Sequence, residues 1–219
     1  VIIAYTDVED IPKLKDFFQE FFIDLGGKIT TTIPHNNDQT DFTNELNTIN
    51  NLDTNSLLLL GYSGEAATFF LQAVLDNGGI NNFILSDGIL RSDLFENISG
   101  DLSGSFGIVP GTDSNGSDAF ENLLSNNDVI DQDSPYIGES YDAAALLVFA
   151  LQAANSTNKN LISSKIIEVA NSPGEEILPG EISKGLELIS KGIDIDYVGV
   201  NNVEMNYVGD AYGFFKEVE

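Results

Sequence analysis

The chain has 219 residues, 42% of them hydrophobic, enough for a sizeable core in one large α/β domain or in two lobes. Its 35 acidic and 9 basic side chains give a formal charge of −26, which repels phosphate backbones and anionic lipid surfaces and argues against nucleic-acid and membrane binding. No apolar run reaches the roughly 18 residues of a membrane span and no basic leader precedes one; the zero cysteines exclude disulfide and thiol chemistry and fit exported and cytosolic proteins alike.

In chain order, "VIIAYT" reads as a buried strand, and an opening directly on a core element is expected of a trimmed chain. Ile11, Leu14, Phe17, Phe18, Phe21, Phe22 and Leu25 recur at helical spacing, with Gly26-Gly27 as the stop. "KITTTI" is a second strand, "DFTNELNTINN" a short helix with Phe42, Leu46 and Ile49 on one face, and "SLLLLG" a third strand. That strand lacks alternation, as a strand covered on both faces of a parallel sheet does. A helix from Glu65 to Leu75, a strand "NNFILSD", a short helix near "SDLFENI" and a strand "GSFGIVP" follow. Residues 1–6, 28–33, 56–61 and 82–86 are therefore predicted to form one mostly parallel sheet with helices on both faces.

After Pro110 the texture changes to a polar, acidic, loop-like stretch, "GTDSNGSDAFENLLSNNDVIDQDSP", and then to three helical segments, "SYDAAALLVFALQAA", "KNLISSKIIEVA" and "GEISKGLELISK". The first of these is apolar nearly all round through Leu146, Leu147, Phe149, Ala150 and Leu151, the pattern of a helix buried between layers. The terminal stretch reads as short strands joined by Asn-Asn and Gly-Asp turns, and there is no internal repeat.

Strand, Gly61-Tyr62-Ser63-Gly64 and helix together suggest the nucleophile elbow of hydrolases, but the second glycine stands one place early. A serine nucleophile also needs a base, and the only histidine, His35, lies upstream. The ordinary role for Ser63 is a helix N-cap. The turn still occupies the carboxyl end of a strand, where ligands bind in open α/β sheets. Tyr62 sits there, and Asp87 at the end of "NNFILSD" on the expected neighbouring strand; a hydroxyl and a carboxylate converging suit a small ligand with an ammonium group. The competing roles are a half-buried ring for Tyr62 and an Asx-turn or N-cap for Asp87. "DSNGSDAFE" resembles a calcium loop in composition but spaces Gly116 only three places after Asp113, and Glu175, Glu176 and Glu181 read as solvated acids before a helix N-terminus. No phosphate loop, metal cluster or cofactor motif is present, so no cofactor is expected.

Taken together, "VIIAYTDVEDIPKLKDFFQEFFIDLGGKITTTIPHNNDQTDFTNELNTINNLDTNSLLLLGY", "FILSDGILRSDLFENISGDLSGSFGIVPG", "SYDAAALLVFALQAANS", "PGEEILPGEISKGLELISKGIDIDYVG" and "GDAYGFFKEVE" resemble, in order, the second half of the type I periplasmic solute-binding proteins, specifically the branched-chain amino-acid receptors of ABC importers. The resemblance implies two wound α/β lobes joined by three hinge crossings with the ligand clamped between them. Residues 1–110 resemble the C-terminal lobe, 111–213 the returning segment of the N-terminal lobe and 214–219 the final strand of the C-terminal lobe. The first half of the N-terminal lobe, which carries most of the family's contacts to a ligand carboxylate, has no counterpart here. By the same resemblance Tyr62 matches a pocket tyrosine, Asp87 an acidic position that holds the ligand ammonium, and Tyr136 an aromatic wall on the other lobe, with Ser63 beside them. Asp10 stands where the family often has a tyrosine, a departure that favours a ligand of more positive charge. Asn201-Asn202 replace a usual glycine.

The expectation is a non-enzymatic, exported protein that captures an amino acid or similar amine-bearing solute for the membrane subunits of an importer, closing by hinge motion. The alternatives are a sensor domain of the same fold and an acidic extracellular assembly subunit. A companion chain, or self-association, is expected to cover residues 111–213.

Overall fold

The computed structural model describes residues 1–8, 10–111, 114–126 and 136–219. Two compact units divide it: Val1–Val109 with Glu217–Glu219, and Pro110–Lys216.

The first unit alternates strand and helix: β1 (Ile2–Thr6), α1 (Ile11–Asp24), β2 (Thr31–His35), α2 (Thr43–Asn50), β3 (Ser56–Leu60), α3 (Glu65–Asn77), β4 (Asn82–Ser86), α4 (Ser92–Asn97) and β5 (Phe106–Pro110). With β8 (Phe215–Val218), the strands form one sheet in the order β2-β1-β3-β4-β5-β8. The pairs β1–β2, β1–β3, β3–β4 and β4–β5 are all parallel, as the unbroken apolar runs predicted. Alternate side chains serve opposite faces. Ile2, Ala4, Leu57, Leu59, Phe83 and Leu85 pack with Ile49 of α2, with Phe70, Leu71 and Val74 of α3 and with Leu94 of α4. Ile3, Leu58 and Leu60 pack with Ile11 and Phe18 of α1. Both faces are thus covered, which is what a parallel sheet of such strands requires.

One strand lies further along the chain than the sequence predicts. β2 begins at Thr31, where it pairs with Ile2, and runs through Pro34 to His35. The Lys28 carbonyl accepts from the Val1 nitrogen at 2.8 Å, ahead of the first pair of the ladder, Ile2 with Thr31. Pro34 is tolerated because β2 is the edge of the sheet, where a missing N–H costs no ladder bond. At the end of α1, Gly26 takes φ +89 and Gly27 leaves room for the Phe22 ring, which would lie 2.3 Å from an added Cβ.

The second unit comprises α5 (Asn115–Leu124), α6 (Ile137–Ala154), α7 (Lys159–Val169), β6 (Glu175–Ile177), α8 (Ile182–Ser190) and β7 (Ile195–Tyr197), with β6 and β7 paired in parallel. Ala145, Leu146 and Phe149 of α6 meet Val169, Ile177, Ile195 and Tyr197 in its core. α6 is apolar on its other side too, and Leu147, Val148 and Leu151 remain exposed there. α5 corrects the expectation of a loop after Pro110. Ser114 and Ser117 form a reciprocal capping box, and Phe120 and Leu124 bury one face of the helix against Val200. The supposed calcium loop is therefore a helix start, in which an added Cβ on Gly116 would lie 1.7 Å from the Gly199 carbonyl oxygen; Asp113 lies outside the described residues.

Candidate ligand site at the carboxyl ends of β3 and β4

The strand order β2-β1-β3-β4 reverses direction between β1 and β3, and the carboxyl ends beside such a reversal are where open α/β sheets bind ligands. The chain leaves this edge through closely fitted loops. Gly61, just after β3, would bring a Cβ within 2.4 Å of the Thr6 hydroxyl at the end of β1. Its N–H donates to Ser86 Oγ at 3.3 Å, at the end of β4. The Ser63 N–H donates to the Gly88 carbonyl at 2.6 Å, and a Cβ on Gly88 would stand 2.3 Å from the Gly61 carbonyl oxygen. Three strand ends thus approach one another closely, at Gly61 against the Thr6 and Ser86 hydroxyls and at Gly88 against the Gly61 carbonyl, where a larger residue would not fit.

On this platform Tyr62 is 43% exposed and Asp87 half-buried, so the sheet brings both to one edge, on loops bonded to each other. Ser63, next to Tyr62 on its loop, is not the N-cap of α3. That position belongs to Gly64, because Ser63 is held by Gly88 and the first helical carbonyl is that of Gly64, which accepts from the Thr68 N–H at 3.0 Å. In the turn around Asp87 the Ser86 carbonyl accepts from the Ile89 and Leu90 N–H groups, and the N-cap of α4 is Arg91. Asp10 is the N-cap residue of α1, on the connection leaving β1. The hydrogen bond from Lys13, at 2.6 Å, and that lysine's charge hold its carboxyl below the usual carboxylate range. Its charge is thus already partnered. Tyr136 belongs to the second unit, half-exposed at the N-cap of α6 with φ +60, in the left-handed region.

His35 gives Ser63 no base. Its ring is buried, stacked on Phe70 at 5.5 Å and edge-on to Phe42 at 5.7 Å. Nδ1 lies 3.2 Å from the Asn36 carbonyl, and Nε2 has no hydrogen-bond partner. Burial lowers its pKa, against smaller opposing effects of the Asn36 carbonyl and of Glu45. Among the described residues there is no group of three or more His, Cys, Asp or Glu side chains that could hold a metal, and no helix long and apolar enough to cross a membrane. Glu175 and Glu176 lie exposed on β6, while Glu181 stands at the N-cap of α8, its carboxylate accepting from the Leu178 N–H ahead of the helix at 2.9 Å.

A buried acid escaped the sequence reading. Asp142 in α6 accepts from the Tyr197 hydroxyl at 2.7 Å and from the Val200 N–H at 2.8 Å, joining helix, strand and loop of the second unit. Burial raises its pKa more than these donors lower it, and burial with the nearby Asp142 charge raises that of Tyr197. A lone carboxylate inside "SYDAAALLVFALQAA" was the available signal. The loop it holds takes left-handed turns at Gly199 and Asn202, with φ +69 and +57. Asparagine tolerates that conformation, which accounts for its standing where the resembled family has glycine.

No family model and no curated protein sequence matches the chain. Solved structures do. The chain is similar to the leucine binding protein LivK of Thermotoga maritima, at 17% identity over 99% of this chain and 56% of that one, with a TM-score of 0.76. It is similar to a periplasmic binding protein type 1 of Bordetella pertussis at 16% identity, 99% and 56% coverage and a TM-score of 0.72. A third match is the branched-chain amino acid transporter substrate binding protein LivJ of Streptococcus pneumoniae in complex with isoleucine, at 19% identity, 78% and 49% coverage and a TM-score of 0.60. The chain spans about half the length of these proteins. In its parallel sheet, in its element order and in these likenesses, the chain has the fold of the type I periplasmic binding proteins.

Proposed function

We propose that the chain serves in an extracytoplasmic solute-binding protein that captures an amino acid or a similar amine-bearing solute for an ABC importer. The observation that carries this reading is the pairing of Tyr62 and Asp87 on interlocked loops at the carboxyl edge of the sheet. A half-buried carboxylate gives an ammonium group a charge-assisted hydrogen bond, the exposed tyrosine offers a flat apolar face and a hydroxyl, and rigid loops lose little freedom when the ligand arrives. The likeness to proteins whose names include leucine binding and an isoleucine complex supports the same reading. On it, residues 1–110 with 214–219 serve as the C-terminal lobe and 111–213 as the returning part of the N-terminal lobe, with Tyr136 as a wall brought up by hinge closure. Asp10, engaged by Lys13, contributes to the field around the site more than to direct contact. The chemistry asked of these residues is recognition alone.

Calorimetry on the chain with a panel of amino acids and their N-acetyl derivatives tests the proposal. The amino acids should bind, though weakly, since the part that by resemblance carries most contacts to a ligand carboxylate has no counterpart in this chain. Acetylation should abolish the heat, and Asp87→Asn should weaken binding about a further ten- to a hundredfold, the worth of one charged hydrogen bond. Equal binding of the acetylated compounds would contradict the ammonium role.

A further inference from the structure

Helix α1 carries two apolar faces and uses one. Ile11 and Phe18 pack under the sheet, while Leu14, Phe17 and Phe21 stand 44%, 60% and 64% exposed at helical spacing on the outer side, with Leu25 beyond them 88% exposed. A phenylalanine carries about 150–250 Å² of surface, so the two rings alone leave roughly 200 Å² in water, and with the leucines the stripe reaches the several hundred Å² typical of interaction patches.

We propose that this face is a self-association surface, through which two copies of the chain pack α1 against α1, antiparallel about a twofold axis. The order of charges selects that partner. Along the exposed flank of the stripe an exposed Lys13 lies toward the start of the helix and an exposed Asp24 at its end. Eleven residues separate them, which at 3.6 residues per turn places them within about 20° of each other around the axis. Antiparallel pairing centred between Phe17 and Phe21 sets Phe17 of one copy against Phe21 of the other. It also brings Lys13, already beside Asp10, level with Asp24 of the second copy, twice by symmetry. Parallel pairing would carry the two charged flanks to opposite sides of the contact, where Lys13 and Asp24 make no pair. The like-charged pairs the antiparallel arrangement brings close are Glu20 with its own copy and Asp24 with the Asp10 that Lys13 already holds, so Lys13 is shared between two carboxylates. The apolar stripe supplies the short-range attraction, since repulsion between chains of charge −26 is screened beyond about 8 Å at physiological salt.

Sedimentation of the whole chain, with folding checked by circular dichroism, tests this. The wild-type chain should be a dimer at tens of micromolar, and Phe17→Glu with Phe21→Glu should render it monomeric. Lys13→Glu should weaken the dimer several-fold, and adding Asp24→Lys should restore it. The chain has no cysteine, so Glu20→Cys reports alone: mild oxidation should link two copies covalently. A monomeric wild-type chain, which would leave the stripe to another partner, overturns the proposal. So does a dimer that survives the α1 variants but is lost with Leu147→Glu on α6, or a Lys13→Glu defect that Asp24→Lys does not repair.

Discussion

The Ser63 N–H donates to the Gly88 carbonyl at 2.6 Å, joining the loop that carries Tyr62 to the loop that carries Asp87. The joint depends on Gly88, where an added Cβ would lie 2.3 Å from the Gly61 carbonyl oxygen and 3.1 Å from the Tyr62 ring. A backbone atom cannot step aside as a flexible side chain can. Gly88→Ala should therefore cost about 1–3 kcal/mol, as overpacking typically does, and displace Tyr62. Thermal unfolding and solute binding measured together check this: both should fall.

In the second unit, Tyr197→Phe removes one donor from a buried carboxylate and should cost about 1.5–3 kcal/mol in denaturant unfolding. The pH dependence has a definite sign. The folded pKa of Asp142 is raised above 3.8, so the folded chain holds this proton more tightly than the unfolded chain. Its contribution is fully present below about 3.8 and is lost as pH rises through the raised value. Compared with Asp142→Asn, which cannot titrate, the wild-type chain should lose stability over that interval and then run parallel.

His35 acts in the opposite sense. Its folded pKa is lowered from 6.5, chiefly by burial, so the folded chain binds this proton less readily than the unfolded chain. Stability is therefore present above about pH 6.5 and is lost as pH falls through the lowered value. His35→Phe keeps a ring between Phe42 and Phe70 and removes the unpartnered Nε2. The variant should unfold at the wild-type temperature or above at neutral pH and show a smaller loss as pH falls below 6.5. An unchanged loss would assign the acid sensitivity to other groups.

Much of the first unit was legible because its strands are buried on both faces, so "SLLLL" and "NFILS" announce themselves without reference to partners. The placing of β2 was not, since its start is set by where β1 begins to pair, a fact of register that no local run of residues contains. α5 was hidden by polar composition, although Ser114, Ser117, Phe120 and Leu124 carry its cap and its face. At the site, strand-end position singled out Tyr62 and Asp87. The replacement of Ser63 by Gly64 as N-cap depends on the long-range bond to Gly88, twenty-five residues away in sequence. The Asp142–Tyr197 bond spans a separation of 55 residues and could be suspected only from one acid in an apolar helix.

The most direct test of the solute-binding reading is a backbone amide NMR titration of the isotope-labelled chain with amino acids, because it detects weak binding and locates it. The expected result is a set of shift changes centred on Tyr62, Ser63, Asp87 and Gly88, strongly diminished in Asp87→Asn. Changes confined to other parts of the chain, or a response at these four residues that Asp87→Asn leaves intact, would contradict it.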